Sequence, residues 1–122
     1  MAMQGITCLQ APVDSNLAVR NNLGARHARG SVLLFLADTS QPLANDWLER
    51  LLEIACLRDV ASVAPQRITP VGTLQYAGWV VANAQQSVPL YAGSPPSHPP
   101  GPFISSVLTR NVLANPADSL MI

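Results

Sequence analysis

Residues 31–42 read Ser31-Val32-Leu33-Leu34-Phe35-Leu36-Ala37-Asp38-Thr39-Ser40-Gln41-Pro42. From Val32 to Ala37 the run is continuously apolar rather than alternating, the pattern of a strand buried on both faces of a parallel sheet. Asp38 follows at once, so a carboxylate is expected at the carboxyl end of a central strand, where open α/β sheets bind their ligands. Asp38 also suits a turn or helix cap, because a short acidic side chain bonds readily to nearby backbone.

Upstream, Asp14 and Ser15 can accept from the free N–H groups that open a helix. No proline intervenes between Asn16 and Arg29, and Gly30 is a natural stop. That helix carries mostly small apolar residues, with Gly24 inside it, and is expected to pack closely against a neighbour. Gly5 to Gln10 reads as a short first strand ending before Pro12.

Downstream, Asn45 is positioned to cap a second, amphipathic helix with Trp47, Leu48, Leu51, Leu52 and Ala55 at helical spacing. Val60–Ala64 and Thr73–Ala82 read as strands, the latter with Gly78 inside it. Phe103–Leu108 and Ser119–Ile122 are weaker strand candidates. Residues 89–102 (PLYAGSPPSHPPGP) form a proline- and glycine-rich loop, which cannot hold a regular ladder. The strand–helix alternation predicts an α/β fold in one domain spanning 1–122.

Composition narrows the function. Hydrophobic residues make up 48% and charged residues 11%, which is the balance of a folded chain and not of a disordered one. Seven basic residues, all Arg, cancel seven acidic ones, so no field exists to gather nucleic acid or anionic lipid. So little charge favours self-association, as a homo-oligomer or on a partner chain. The longest strongly apolar run, Val32–Ala37, falls far short of the roughly 20 residues that cross a bilayer. No secretory leader is evident, which predicts a cytoplasmic chain with Cys8 and Cys56 reduced and buried.

The stretch SNLAVRNNLGARHARGSVLLFLADTSQPLANDWLERLLE, residues 15–53, resembles bacterial family 2 glycosyltransferases, whose pattern runs N-N-x-G, then L-L-F-L-N-D-D-T-x-P, then D-W-L-E. The resemblance continues through Asp59-Val60, Pro70-Val71-Gly72-Thr73-Leu74-Gln75, Ala77-Gly78 and Arg110-Asn111-Val112, and so covers about Ile6 to Ile122. It implies an incomplete GT-A (nucleotide-diphospho-sugar transferase-like, Rossmann-like) mixed sheet flanked by helices. The implied activity is transfer of a sugar from a nucleotide-diphosphate sugar to a glycan or lipid-linked acceptor in polysaccharide biosynthesis.

In that family an acidic triplet at the strand end, the DXD motif, holds a divalent cation, Mn or Mg, against the donor diphosphate. A hard cation with oxygen ligands binds the phosphates and stabilises the leaving group. Aligned with it, Ala37-Asp38-Thr39 keeps only the middle acid. Thr39 and Ser40 offer hydroxyls without charge, so Asp38 and Thr39 make a weakened metal pair. The resemblance also places Asn22, Gly24, Gln75 and Gly78 in the sugar-nucleotide site, with Arg20 beside them as a phosphate partner; Tyr76 stands where the family has His.

The family's base-gripping first strand would precede Ile6, and its general base would follow Ile122. The expectation is therefore a central part of the domain, inactive alone. Asp118, the one late acid, does not align with that base.

Other residues have plainer readings. His27 and His98 read as solvated and Trp47 as core, while Trp79 reads as core or as a wall of a sugar site. Two readings compete with the enzyme: a non-catalytic interaction module on the same scaffold, and a metal-dependent adhesion domain whose D-x-S-x-S motif Asp38-Thr39-Ser40 begins but Pro42 breaks.

Overall fold

A computed structural model describes residues 5–83, 86–97, 109, 111–112 and 114–122. The chain is α/β, with element order α1 (Leu17–His27), β1 (Leu34–Leu36), α2 (Trp47–Ala55), β2 (Arg67–Ile68), β3 (Leu74–Tyr76), β4 (Trp79–Asn83), β5 (Gln86–Pro89) and β6 (Ser119–Met121).

The apolar run around β1 does form a strand, but its partner is β6. The pairing is antiparallel, with Leu34 opposite Met121, Phe35 opposite Leu120 and Leu36 opposite Ser119. Leu33 and Ile122 exchange both backbone bonds and extend the ladder. On its other edge Met121 exchanges bonds with Val63, 2.8 Å in each direction, so β6 lies between β1 and the Val63 segment. β1 is therefore not a doubly buried parallel strand. Its residues are half-buried and Leu36 is 44% exposed. Every pairing among the described strands is antiparallel.

α2 covers this assembly. Its buried Leu51 meets Val63 and Met121, with Val32, Leu34, Trp47, Ile54, Ala55 and Val60 packed around them. Trp47 is thus core, as its helical spacing predicts, whereas Leu48 and Leu52 stay more than 40% exposed. The helix begins one residue later than expected, at Asp46, whose side chain caps nothing and instead pairs with Arg50, 2.6 Å away.

The remaining strands form two hairpins. β2 and β3 join through the turn at Pro70–Gly72, where Gly72 has φ +84° and Thr69 N–H donates to Thr73 O. The expected single strand over Thr73–Ala82 is broken at Ala77–Gly78. Gly78 has φ +101°, which a residue with a side chain rarely adopts, and a Cβ there would lie 2.5 Å from Val112 Cγ1. β4 then turns back with β5, and Trp79 bridges to Ala114. The loop after β5 starts as turns tied to β3, since Leu74 N–H donates to Ser94 O and Gly93 N–H to Leu74 O. Residues 98–102 of that loop with His98, the expected strand at Phe103–Leu108, and Arg110 lie outside the described residues.

Five further expectations change. The expected strand over Gly5–Gln10 does not form, because no second segment pairs with it among the described residues. Val60–Ala64 contributes only the Val63 bridge. Cys8 and Cys56 are both free, as expected, but exposed. α1 is capped by Asn16, whose Oδ1 accepts from Val19 N–H, and it ends at Ala28 in extended backbone. No residue of α1 is buried, and nothing lies within 4 Å of a Cβ built on Gly24, so the close packing inferred from its small residues is not made. No helix among the described residues is long and apolar enough to cross a membrane.

Candidate functional site

β1 ends at Leu36, and the chain turns at once through Ala37–Ser40, with Ser40 N–H donating to Ala37 O. Asp38 and Thr39 are exposed on this turn. The strand places its carboxylate at its carboxyl end, as the sequence indicates. What holds the turn comes from the far end of the chain: Ala37 N–H donates to Asp118 O, and Asn21 Nδ2 of α1 donates to Ala117 O, 3.1 Å away.

Arg67 completes the assembly. β2 presents it directly opposite Tyr76 in the β2–β3 register. Its Nη1 donates to Asp118 Oδ2 at 2.5 Å and its Nη2 to Thr39 Oγ1 at 3.3 Å. The ion pair is partly shielded, with side-chain exposures of 21% for Arg67 and 34% for Asp118, which strengthens it over a surface pair.

Below it, Tyr76 is 3% exposed and its hydroxyl makes no well-formed hydrogen bond. Burial, and then the Asp118 charge, push the Tyr76 phenol above its ordinary range, while nearby Arg67 and Ser119 pull the other way. The hydroxyl of Ser40 is also buried, without a partner among the described residues.

The other residues named from the sequence do not gather here. Arg20 folds back along its own helix entry, its Nε 3.0 Å from Ser15 O. Asn22 and Gly24 are exposed on α1, and Gln75 is exposed on β3 while Leu74 and Tyr76 on either side of it are buried. Gly78 serves the backbone, at the close approach to Val112. His27 bonds to Leu23 O in its own helix.

Two clefts flank these elements. One of about 400 Å³ is lined by Leu17, Trp79, Ser87, Ala114–Ala117 and Asp118. A wider one of about 1100 Å³ runs between α2, residues 59–66, Ala77–Gly78 and Asn111, Val112, Ala114 and Asn115. Asp118 thus backs the smaller cleft while bonding to Arg67, and Trp79 stands in its wall with an indole N–H that has no partner among the described residues.

A divalent cation does not fit the donors on this turn. Asp38 is a single carboxylate, the Thr39 hydroxyl accepts from a guanidinium, and Asp118 is committed to the same guanidinium. No group of three or more His, Cys, Asp or Glu side chains that could hold a metal ion occurs among the described residues.

Sequence reasoning missed the Arg67–Asp118 pair, whose members lie 51 residues apart. The sequence carried no clear signal for it, because Arg67 sits between polar Gln66 and a short Ile68-Thr69 step and its acidic partner is supplied only by the fold.

No family model and no solved structure matches the chain. Among curated proteins it is similar to the O-antigen biosynthesis protein RfbC of Myxococcus xanthus, with 34% identity over 104 residues. The similarity takes in 81% of this chain but only 8% of that much longer relative.

Proposed function

We propose that the chain is the central part of a bacterial family 2, GT-A type glycosyltransferase domain acting in polysaccharide biosynthesis. In this reading it helps transfer a sugar from a nucleotide-diphosphate sugar to a glycan or lipid-linked acceptor. The observation that carries the reading is the 34% identity, sustained over 104 residues, to a protein described as acting in O-antigen biosynthesis. The exposed Asp38 at the end of β1 supports it, because hydroxyls of the donor can donate to a carboxylate placed there.

On this reading Asp38 binds the sugar or ribose of the donor and Thr39 lies beside it. A general base for the acceptor hydroxyl is not assigned to Asp118, whose carboxylate is held by Arg67. The chain alone should therefore bind a donor without transferring its sugar. Calorimetry with a uridine or thymidine diphosphate sugar tests this: binding without turnover fits, and the absence of binding contradicts it.

A second reading is favoured by the exposure of large apolar side chains, among them Val13 at 89%, Val71 at 84% and Leu43 at 82%. A non-catalytic interaction module would use such a surface for a partner chain or a second copy. Light scattering across a concentration series distinguishes the two, since a monomer that binds nucleotide sugar excludes the module.

A further inference from the structure

A donor diphosphate would bring two negatively charged phosphates to the Asp38 turn, where positive charge has to meet them. The donors on the turn do not make a cation site, but a guanidinium already touches it. Arg67 Nη2 lies 3.3 Å from Thr39 Oγ1, and Arg20 is turned away onto Ser15.

Arg67 is also preorganised. One nitrogen is fixed by Asp118, the strand register sets it across from buried Tyr76, whose phenol it influences, and among the described residues the Nη2 edge makes a long bond to exposed Thr39. Guanidinium is a strong partner for phosphate, because its N–H fork matches two oxygens.

We propose that Arg67, and not a divalent cation, is the counter-charge for the diphosphate of a ligand bound at the Ala37–Ser40 turn. The proposal rests on the function proposed above and specifies how the anionic part of the donor is held. The phosphate takes the Nη2 edge, and the Thr39 hydroxyl, freed as an acceptor, turns to donate to a phosphate oxygen.

Asp118 then has two opposed effects: it anchors the guanidinium, and its charge competes with the phosphate for it. Removing that charge while keeping an oxygen acceptor should tighten anion binding. A purely structural role for Arg67 gives no reason for tightening, and a metal site would be weakened by it.

The test is calorimetry of inorganic pyrophosphate with the 122-residue chain, first with a chelator and then with magnesium, alongside thermal melts of each variant. The proposal expects binding in the chelator. Arg67→Gln should weaken it about tenfold, Arg67→Lys less, and Asp118→Asn should tighten it several-fold, on the order of one charged hydrogen bond gained or lost. If Arg67→Gln does not fold, Asp118→Asn decides: weaker or unchanged binding overturns the proposal.

Binding that requires magnesium and ignores Arg67→Gln also overturns it, while leaving the glycosyltransferase reading intact. No pyrophosphate binding under either condition contradicts both.

Discussion

Arg67 and Asp118, 51 residues apart, meet at 2.5 Å and tie the β2–β3 hairpin to the turn that precedes β6. The same guanidinium reaches Thr39 on the turn after β1, so one side chain joins three segments brought together only by the fold. Arg67→Met should lower stability by about 1–2 kcal/mol, between the values for exposed and buried pairs. Urea unfolding of wild type, Arg67→Met, Asp118→Ala and the double variant would give a coupling energy. A coupling near zero would show the pair to be incidental.

Met121 is 2% exposed, exchanges both backbone bonds with Val63 and stands opposite Leu34 of β1, with Leu51 and Val63 packed against it. Met121→Ala should cost about 2–5 kcal/mol, as large-to-small changes in a packed core do. With so few fully buried side chains among the described residues, that loss is expected to unfold much of the chain at room temperature, visible by far-UV circular dichroism.

Gly78→Ala combines a positive φ with a methyl placed 2.5 Å from Val112. Backbone strain alone costs about 1–3 kcal/mol, and the contact adds to it. Val112→Ala in the Gly78→Ala background should recover the part owed to the contact and none of the strain. Full recovery in urea melts would mean that the strain is negligible.

Tyr76→Phe removes a buried hydroxyl that has no well-formed bond, so it should be neutral or stabilising by about 1 kcal/mol at neutral pH. The alkaline side carries a definite sign. The folded phenol titrates above its unfolded value, so its contribution is complete below that value of about 10 and is lost as pH rises through the folded pKa. Wild type should therefore lose stability above about pH 10 more steeply than Tyr76→Phe. Parallel decline of the two would refute the assignment.

Cys8 and Cys56 are both free and exposed, so a thiol reagent should label two groups without denaturant. Labelling only after unfolding would contradict the packing of both segments.

Much of the local structure was legible because it depends on local chemistry. The absence of proline from Asn16 to Arg29 set α1, the Trp47, Leu51 and Ala55 spacing set α2, and the apolar run set β1. The pairing was not legible. A half-buried strand and a doubly buried one read alike when polar residues are absent, and only the partner, β6, decides that β1 runs antiparallel.

Asp38 was visible as a strand-end carboxylate. Arg67 was not, because its role depends on two residues, Thr39 and Asp118, that lie 28 and 51 positions away. Arg20, Asn22, Gly24 and Gln75 followed from resemblance, and their exposure in this chain leaves their contribution to ligand binding as a proposal.

The central claim is that the turn after β1 binds a sugar nucleotide through Asp38. Its most direct measurement is titration of wild type and Asp38→Ala with a uridine or thymidine diphosphate sugar, with thermal melts of both. The account predicts binding by wild type that Asp38→Ala weakens about tenfold, while the melting temperature stays within a few degrees, because Asp38 is exposed. Absence of binding by wild type, or equal binding by the two proteins, would contradict it.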